Sequence, residues 1–231
     1  MSQQLPKSGR GLPHNPGVRE LVADKRKWSA ASPQELGKQG FPGWHERGYL
    51  PHRDEPGLIQ FVTFHLADSF PAALRSEWAA ILEVEDVPAR REMLQEYLDK
   101  GRGSRVLQQP DVAQVVEDSL RFRHNQSYEL RAWVVMPNHV HVLLKVGNVS
   151  LSRVAGDWKR FTAHAINQRL GTKGQLWFGD YWDTYMRHAG HEAHTQNYIE
   201  ANPVKALLVR EAKQWPWSSA RLRDDLGRLC L

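Results

Sequence analysis

The chain has 231 residues, of which 41% are hydrophobic and 25% charged, as in an ordinary globular protein with room for one substantial domain and an extension. The net charge of +5 is compatible with a nucleic-acid partner but does not demonstrate one. A single cysteine excludes an intrachain disulfide framework and a paired-cysteine zinc site. The sequence shows no apolar leader and no run as long as a membrane span, so we expect a cytoplasmic protein without a membrane partner.

The first fifty residues differ in composition from the rest of the chain. Residues 1–50 are rich in Gly, Pro, Lys, Arg and Gln and show little apolar periodicity. They predict an N-terminal extension that is partly disordered or draped over the body of the protein, with Trp28 and Trp44 as anchors. One brief helix is predicted here, because Ser32 can cap it, a proline follows at its first position, and Glu35 can close a capping box.

The remaining sequence alternates between strand-like and helix-like patterns. We predict one main domain over residues 51–225 and a short tail over residues 226–231. In chain order the predicted elements are a strand at 59–66, helices at about 72–82, 87–99 and 110–123, strands at 128–136 and 139–146, a helix at 151–170, a strand at 181–187 and a helix at 191–201. We expect Pro203 to kink or end the last helix at Asn202.

The order of these elements predicts an α+β fold. It corresponds to a ferredoxin-like or RRM-like layout, in which an antiparallel sheet carries helices on one face. The helices within residues about 72–125 form an insertion between the first two strands of that sheet.

Two histidines lie one residue apart within an apolar, strand-like run. Side chains alternate between the faces of a strand, so His139 and His141 point to the same face, with Cα atoms roughly 6.6 Å apart. Val140 and Val142 then face the core. Two imidazoles in this arrangement can converge on one metal ion. The alternative is an ordinary pair of surface or core histidines, because this spacing alone is a weak signal.

A tyrosine and an amide are spaced one helical turn apart. Tyr198 and Asn202 lie on one face of the last predicted helix. A free phenol is a weak nucleophile at neutral pH, but a bound divalent ion can compensate by polarising a phosphate group. Two imidazoles and an amide oxygen suit Mn²⁺ or, less naturally, Mg²⁺. The alternatives are a packing role for Tyr198 and a helix cap for Asn202.

These residues carry a resemblance to a known family. The runs Trp133–His141, Tyr198–Ala206 and Trp215–Ala220, in this order, resemble the REP-associated tyrosine transposases. That family belongs to the single-tyrosine HUH transposases of bacterial insertion sequences, whose HUH domain has a ferredoxin-like fold. Residues 57–64 and 176–183 are also similar to the family, so the resemblance covers most of the chain.

The resemblance implies a metal-dependent endonuclease and strand transferase. His139 and His141 match the metal-binding histidines of the HUH motif, Tyr198 matches the nucleophile, and Asn202 stands where many relatives carry a Gln metal ligand. Family members cut single-stranded DNA beside repetitive extragenic palindromes (REP), which form hairpins, and leave a 5′-phosphotyrosine and a free 3′-OH. The implied cofactor is Mg²⁺ or Mn²⁺, and the implied partner is a single-stranded REP hairpin in the bacterial cytoplasm, at the nucleoid.

Cationic and aromatic side chains are the expected contacts to the DNA. Single-stranded substrates are usually bound by stacking on aromatic rings and by cationic contacts to phosphates. We assign this role to Arg153, Lys159, Arg160, Arg187, His188 and Trp182. For the cations the alternative is a solvated helix face, and for Trp182 it is packing beneath the site. The insertion at 72–125 either contacts the hairpin or is a neutral addition.

Three functions stay open at this point. Besides the transposase, the chain could be a domesticated DNA-hairpin binding protein that keeps the fold without turnover, although intact His139, His141 and Tyr198 argue against this. An RRM-like RNA binder is the third. Insertion-sequence relatives place the tyrosine helix across a dimer, whereas REP-associated members look able to act alone, so we expect a monomer, with a dimer as the alternative.

Overall fold

The computed structural model describes residues 32–47, 50–69, 80–81, 83–84 and 86–231. Most of the helix predicted at about 72–82, and the anchor Trp28, lie outside these described residues. None of the described helices is long and apolar enough to cross a bilayer.

A short helix and a hairpin precede the main sheet. Helix α1 (Pro33–Lys38) begins at the predicted capping box, because the Ser32 hydroxyl accepts from the Glu35 N–H and the Glu35 carboxylate accepts from the Ser32 N–H. Strands β1 (Gly43–Arg47) and β2 (Leu50–Asp54) form an antiparallel hairpin that the sequence did not predict. The last residues of the predicted extension therefore form a β-strand that pairs with β2. The boundary between extension and main domain at residue 50 stays a prediction.

Polar contacts fasten this hairpin to the rest of the protein. Buried His52 hydrogen-bonds Asp183, and its Nε2 lies 3.7 Å from a carboxylate oxygen of Asp180. Asp54 accepts from the backbone N–H groups of Leu151 (2.7 Å) and Ser152 (2.9 Å), and so caps the first turn of a long helix. Because hydrophobic periodicity does not detect such contacts, the sequence pattern missed the hairpin.

The main sheet has four antiparallel strands, as predicted. They are β3 (Ile59–His65), β4 (Tyr128–Val135), β5 (His139–Val146) and β6 (Trp182–Tyr185), in the spatial order β4–β5–β3–β6. The register of the two central strands sets Thr63 opposite His141 and His65 opposite His139. The sheet therefore gathers several polar side chains at the beginning of β5.

Two helices cover one face of the sheet. Helices α3 (Pro110–Phe122) and α4 (Leu151–Leu170) follow the predicted bounds and share a core with the side chains of β3 and β5. Those strands contribute alternate residues such as Val140 and Val142, which are fully buried. Helix α2 (Val87–Asp99) precedes them in the chain and also has its predicted bounds.

A further helix lies on the opposite face of the sheet. Helix α5 (Ala189–Lys205) places Ile199 in a second core with Ala132, Val134 and Leu143. The expectation of helices on one face only is therefore wrong, because alternate side chains of β4 and β5 make both faces apolar. The α+β class and the antiparallel sheet are confirmed.

Helix α5 continues through its proline. The expected end of the helix at Asn202 is wrong, because the helix runs to Lys205 and Ala206 is its C-cap. A proline in the last turn removes one helical hydrogen bond, while the Ala206 N–H still donates to the Asn202 carbonyl (2.9 Å). Asn202 therefore keeps helical geometry one turn after Tyr198, and it is not the helix cap.

Candidate active site

The two predicted histidines face each other at the beginning of β5. His139 Nε2 and His141 Nε2 are 3.1 Å apart, and both rings are buried. Burial lowers the pKa of His141 to about 3. Burial, together with the neighbouring imidazoles, lowers the pKa of His139 well below its ordinary value. Both rings are therefore neutral at physiological pH, which is the form that binds metal.

Hydrogen bonds on the far side of each ring fix its orientation. His139 Nδ1 donates to Asn138 Oδ1 (2.8 Å). The Asn138 amide nitrogen donates to the Arg102 carbonyl (2.9 Å). The atom of Asn138 that faces His139 is therefore the amide oxygen, which can only accept a hydrogen bond. His139 Nε2 therefore carries a lone pair. His141 Nδ1 hydrogen-bonds Thr63 Oγ1 (2.8 Å), so each histidine has the kind of outer contact that orients metal ligands.

Helix α5 brings the predicted tyrosine and amide to the histidines. The ring centroids of Tyr198 and His141 are 5.6 Å apart. The Tyr198 hydroxyl donates to Asp99 Oδ2 (3.2 Å), and Asn202 Nδ2 donates to Asp99 Oδ1 (3.3 Å). Burial, and then the charge and hydrogen bond of Asp99, raise the pKa of the Tyr198 hydroxyl above its ordinary value, so this phenol is protonated at rest.

Asp99 is a site residue that the sequence did not predict. It is the last residue of α2, within the helical insertion, and its Oδ1 lies 3.5 Å from His139 Nε2. Burial raises the pKa of the Asp99 carboxyl, and the hydrogen bonds from Asn202 and Tyr198 oppose that rise. A single acidic residue at a helix end carries no sequence signal of its own, because the histidines that it meets lie far along the chain.

The donor atoms of this cluster fit a divalent cation. Ligand atoms of Asp99, His139 and His141 lie within 4.8 Å of one another, and no other such group of three occurs among the described residues. The 3.1 Å between the two Nε2 atoms suits adjacent ligands of an octahedral ion with bonds of about 2.1 Å. Asn202 Oδ1 is buried without a hydrogen-bond partner in the described part of the chain, so a further oxygen ligand is available.

Comparisons with known proteins bear on the identity of this site. Residues 102–202 match the family model described as "Transposase IS200 like". Over 102 residues the chain is 28% identical to the REP-associated tyrosine transposase of Escherichia coli strain K12. The resemblance to the REP-associated tyrosine transposases is confirmed. This match covers 43% of the chain and spans 59% of the length of the curated relative.

A solved structure shares the fold. The structure of a REP-associated tyrosine transposase bound to a REP hairpin has a TM-score of 0.51 and 20% sequence identity, covering 77% of this chain and 82% of the other. This likeness supports the α+β fold. The segment matched by the family model contains His139, His141, Tyr198 and Asn202, whereas Asp99 precedes it.

Trp182, Arg187 and His188 are three of the predicted DNA contacts. Trp182 lies opposite Thr63 in the sheet, and its ring centroid is 5.3 Å from that of His65. It is 5% exposed, so it packs beside the site. Arg187 and His188 are exposed at the beginning of α5, where His188 Nδ1 accepts from the His191 N–H (3.1 Å).

The other three predicted DNA contacts belong to α4, on the far side of the sheet from the histidines. The Lys159 ammonium donates to the carbonyls of Gly179 (2.9 Å) and Asp180 (3.0 Å). Arg160 is exposed and pairs with a carboxylate on its own helix, and Arg153 is exposed. The structure therefore does not bring these three cations to the histidine cluster.

Proposed function

We propose that the protein is a metal-dependent endonuclease and strand transferase that acts on single-stranded DNA at REP-type hairpins. The observation that carries this proposal is the convergence of His139, His141, Tyr198 and Asn202 from β5 and α5 on one buried cluster. The curated relative is named a REP-associated tyrosine transposase, and the solved structure with the same fold holds a REP hairpin. Both support the same class of substrate for this chain.

Tyr198 is the proposed nucleophile. Its phenol oxygen attacks the phosphorus of a phosphodiester, the bond between phosphorus and O3′ breaks, and the 5′-phosphate stays on the tyrosine. The phenol proton passes to water as the new bond forms, and the departing 3′ oxygen takes up a proton from water, so no net proton is released. One phosphodiester replaces another, so a 3′-OH can later attack the phosphotyrosine and rejoin strands without ATP.

His139, His141 and Asn202 are the proposed holders of Mg²⁺ or Mn²⁺. When bound, such an ion polarises a phosphate oxygen and screens its negative charge. Burial keeps both imidazoles neutral, and hydrogen bonds to Thr63 and Asn138 fix their orientation, so both rings are suited to metal binding. The buried, unpaired Oδ1 of Asn202 supplies a neutral oxygen.

We also propose which side chains contact the DNA. Arg187 and His188 lie at the exposed beginning of the tyrosine helix, where cations would meet the phosphates that flank the reacting one. Trp182 is buried beside His65, so we propose that it supports the DNA-binding surface from beneath instead of stacking on a base. Arg153, Lys159 and Arg160 would meet only DNA that extends to the other face of the sheet. We propose that the protein acts as a monomer in the cytoplasm.

A denaturing gel tests the proposed reaction. The full chain is mixed with a single-stranded REP-type hairpin labelled at its 3′ end, with Mn²⁺, Mg²⁺ or EDTA. We expect a metal-dependent band in which the label migrates with the protein. The band should be absent for Tyr198→Phe and present for the control Tyr185→Phe, whose tyrosine lies on β6 and contacts Trp44.

Two outcomes of this experiment would favour the other functions. A tight complex on a native gel without any covalent band, in either metal, would favour a hairpin-binding protein without turnover. Tighter binding of a matched RNA than of the DNA hairpin would favour an RNA binder. A covalent band that persists in Tyr198→Phe would contradict the assignment of the nucleophile.

A further inference from the structure

Asp99 reaches the histidine cluster from helix α2, which precedes the segment that the family model matches. We propose that Asp99 is a ligand of the divalent cation, supplied by α2 and held in place by Asn138. The inference rests on the proposed metal-dependent function. It assigns a role to the insertion, which contributes a charged group to the site instead of being a neutral addition.

The position of the Asp99 carboxylate supports this role. Its Oδ1 lies 3.5 Å from His139 Nε2, the nitrogen that carries the lone pair, and within 4.8 Å of the ligand nitrogen of His141. The histidine side chains are almost fully buried, while the Asp99 side chain is 29% exposed. Asp99 therefore lies between the buried ligands and solvent, on the side from which an ion and a phosphate can enter.

Charge compensation gives a physical reason for a carboxylate here. Imidazole and amide groups bind a metal ion in their neutral form, so His139, His141 and Asn202 would leave both positive charges of a divalent ion uncompensated. Such a charge in a largely buried site is costly unless an opposite charge accompanies it. Mg²⁺ and Mn²⁺ also prefer hard oxygen ligands such as carboxylates. Asp99 supplies both the charge and the oxygen.

Asn138 links the end of α2 to the metal-binding strand. Its amide nitrogen donates to the carbonyls of Leu98 (3.4 Å) and Arg102 (2.9 Å), on either side of Asp99 in the sequence. Its amide oxygen accepts from His139 Nδ1 (2.8 Å). One fully buried side chain therefore holds both the backbone that carries Asp99 and the imidazole of the neighbouring ligand.

The two oxygens of Asp99 face different partners. Oδ1 faces His139 and accepts from the amide nitrogen of Asn202, while Oδ2 accepts from the Tyr198 hydroxyl. Coordination through Oδ1 therefore leaves Oδ2 in place to orient the nucleophile. In this way one carboxylate connects the proposed metal ligands to the proposed nucleophile.

Mn²⁺ binding to the full chain without DNA tests the proposal, measured by titration calorimetry and by the electron paramagnetic resonance signal of free Mn²⁺. Asp99→Asn removes the charge and keeps the shape. We expect it to weaken Mn²⁺ binding by about tenfold or more, since even outer contacts of metal ligands are worth that much. The matched control is Glu92→Gln, which removes an exposed carboxylate two turns earlier on α2 and should leave the affinity unchanged.

The variants separate this inference from the proposed function. Asp99→Asn with wild-type affinity, together with loss of binding in His139→Ala, would overturn the role of Asp99 and leave the metal site standing. Wild-type affinity in His139→Ala would overturn both. Asp99→Ala is a second variant in which binding should also be weakened, and thermal unfolding without metal confirms that each variant is folded.

Discussion

The charge on His52 should make the stability of the fold depend on pH. Burial lowers the pKa of His52, but its polar contacts with the carboxylates of Asp180 and Asp183, and the charges of these carboxylates, outweigh burial and raise this pKa to about 9 from the ordinary 6.5. The pKa of His52 is higher in the folded protein than in the unfolded chain, so protonated His52 stabilises the fold. This stabilisation is complete below pH 6.5 and is lost as the pH rises through 9. The difference corresponds to about 3 kcal/mol of unfolding free energy.

Urea unfolding between pH 6 and pH 10 measures this contribution. We expect the unfolding free energy of the wild type to fall by about 3 kcal/mol more than that of His52→Gln over this range. His164→Gln changes an exposed histidine on α4 and should retain the wild-type profile. Parallel profiles for the wild type and His52→Gln would refute the reasoning, because they would show that no charged His52 stabilises the hairpin.

Further changes test the core, a close backbone approach and the metal site. Arg221→Ala should lower the unfolding free energy measured in urea by about 3 kcal/mol. The reason is that the fully buried Glu117 carboxylate would lose the guanidinium that donates to both of its oxygens at 2.8 Å. An unchanged urea midpoint would contradict this. Gly147→Ala should destabilise by about 2 kcal/mol in the same assay, because the added Cβ would lie 2.4 Å from a backbone carbonyl oxygen. The control Gly156→Ala should not destabilise the protein, because a Cβ added at Gly156 would meet no atom within 4 Å. Mn²⁺ at a hundredfold excess over its dissociation constant should stabilise the wild type by about 2.7 kcal/mol, seen as a higher Tm, and an equal rise in His139→Ala would contradict the site.

The parts of the site that lie close together in the sequence could be predicted from it. The alternation of side chains along a strand placed His139 and His141 on one face, and the structure has their Nε2 atoms 3.1 Å apart. The spacing of one helical turn placed Tyr198 and Asn202 together, and both hydrogen-bond the same carboxylate. Local periodicity was enough in each case because each pair belongs to one regular element.

The parts that depend on distant contacts could not be predicted in this way. Asp99 enters the site only because α2 packs beside the beginning of β5, and periodicity says nothing about such packing. The hairpin of β1 and β2 was missed because its buried side chains include His52 and Asp54, whose partners are far along the chain. The second helical layer was missed because both faces of the sheet are apolar and the order of elements does not assign a face to α5.

Mass spectrometry of the covalent product tests the central claim most directly. After reaction with a REP-type hairpin and digestion by nuclease and trypsin, the peptide of residues 188–205 contains Tyr198 as its single tyrosine. We predict that this peptide carries the mass of a 5′-linked nucleotide, that fragmentation places the mass on Tyr198, and that EDTA abolishes it. A nucleotide on another residue, or cleaved DNA without any modified peptide, would contradict the proposed mechanism.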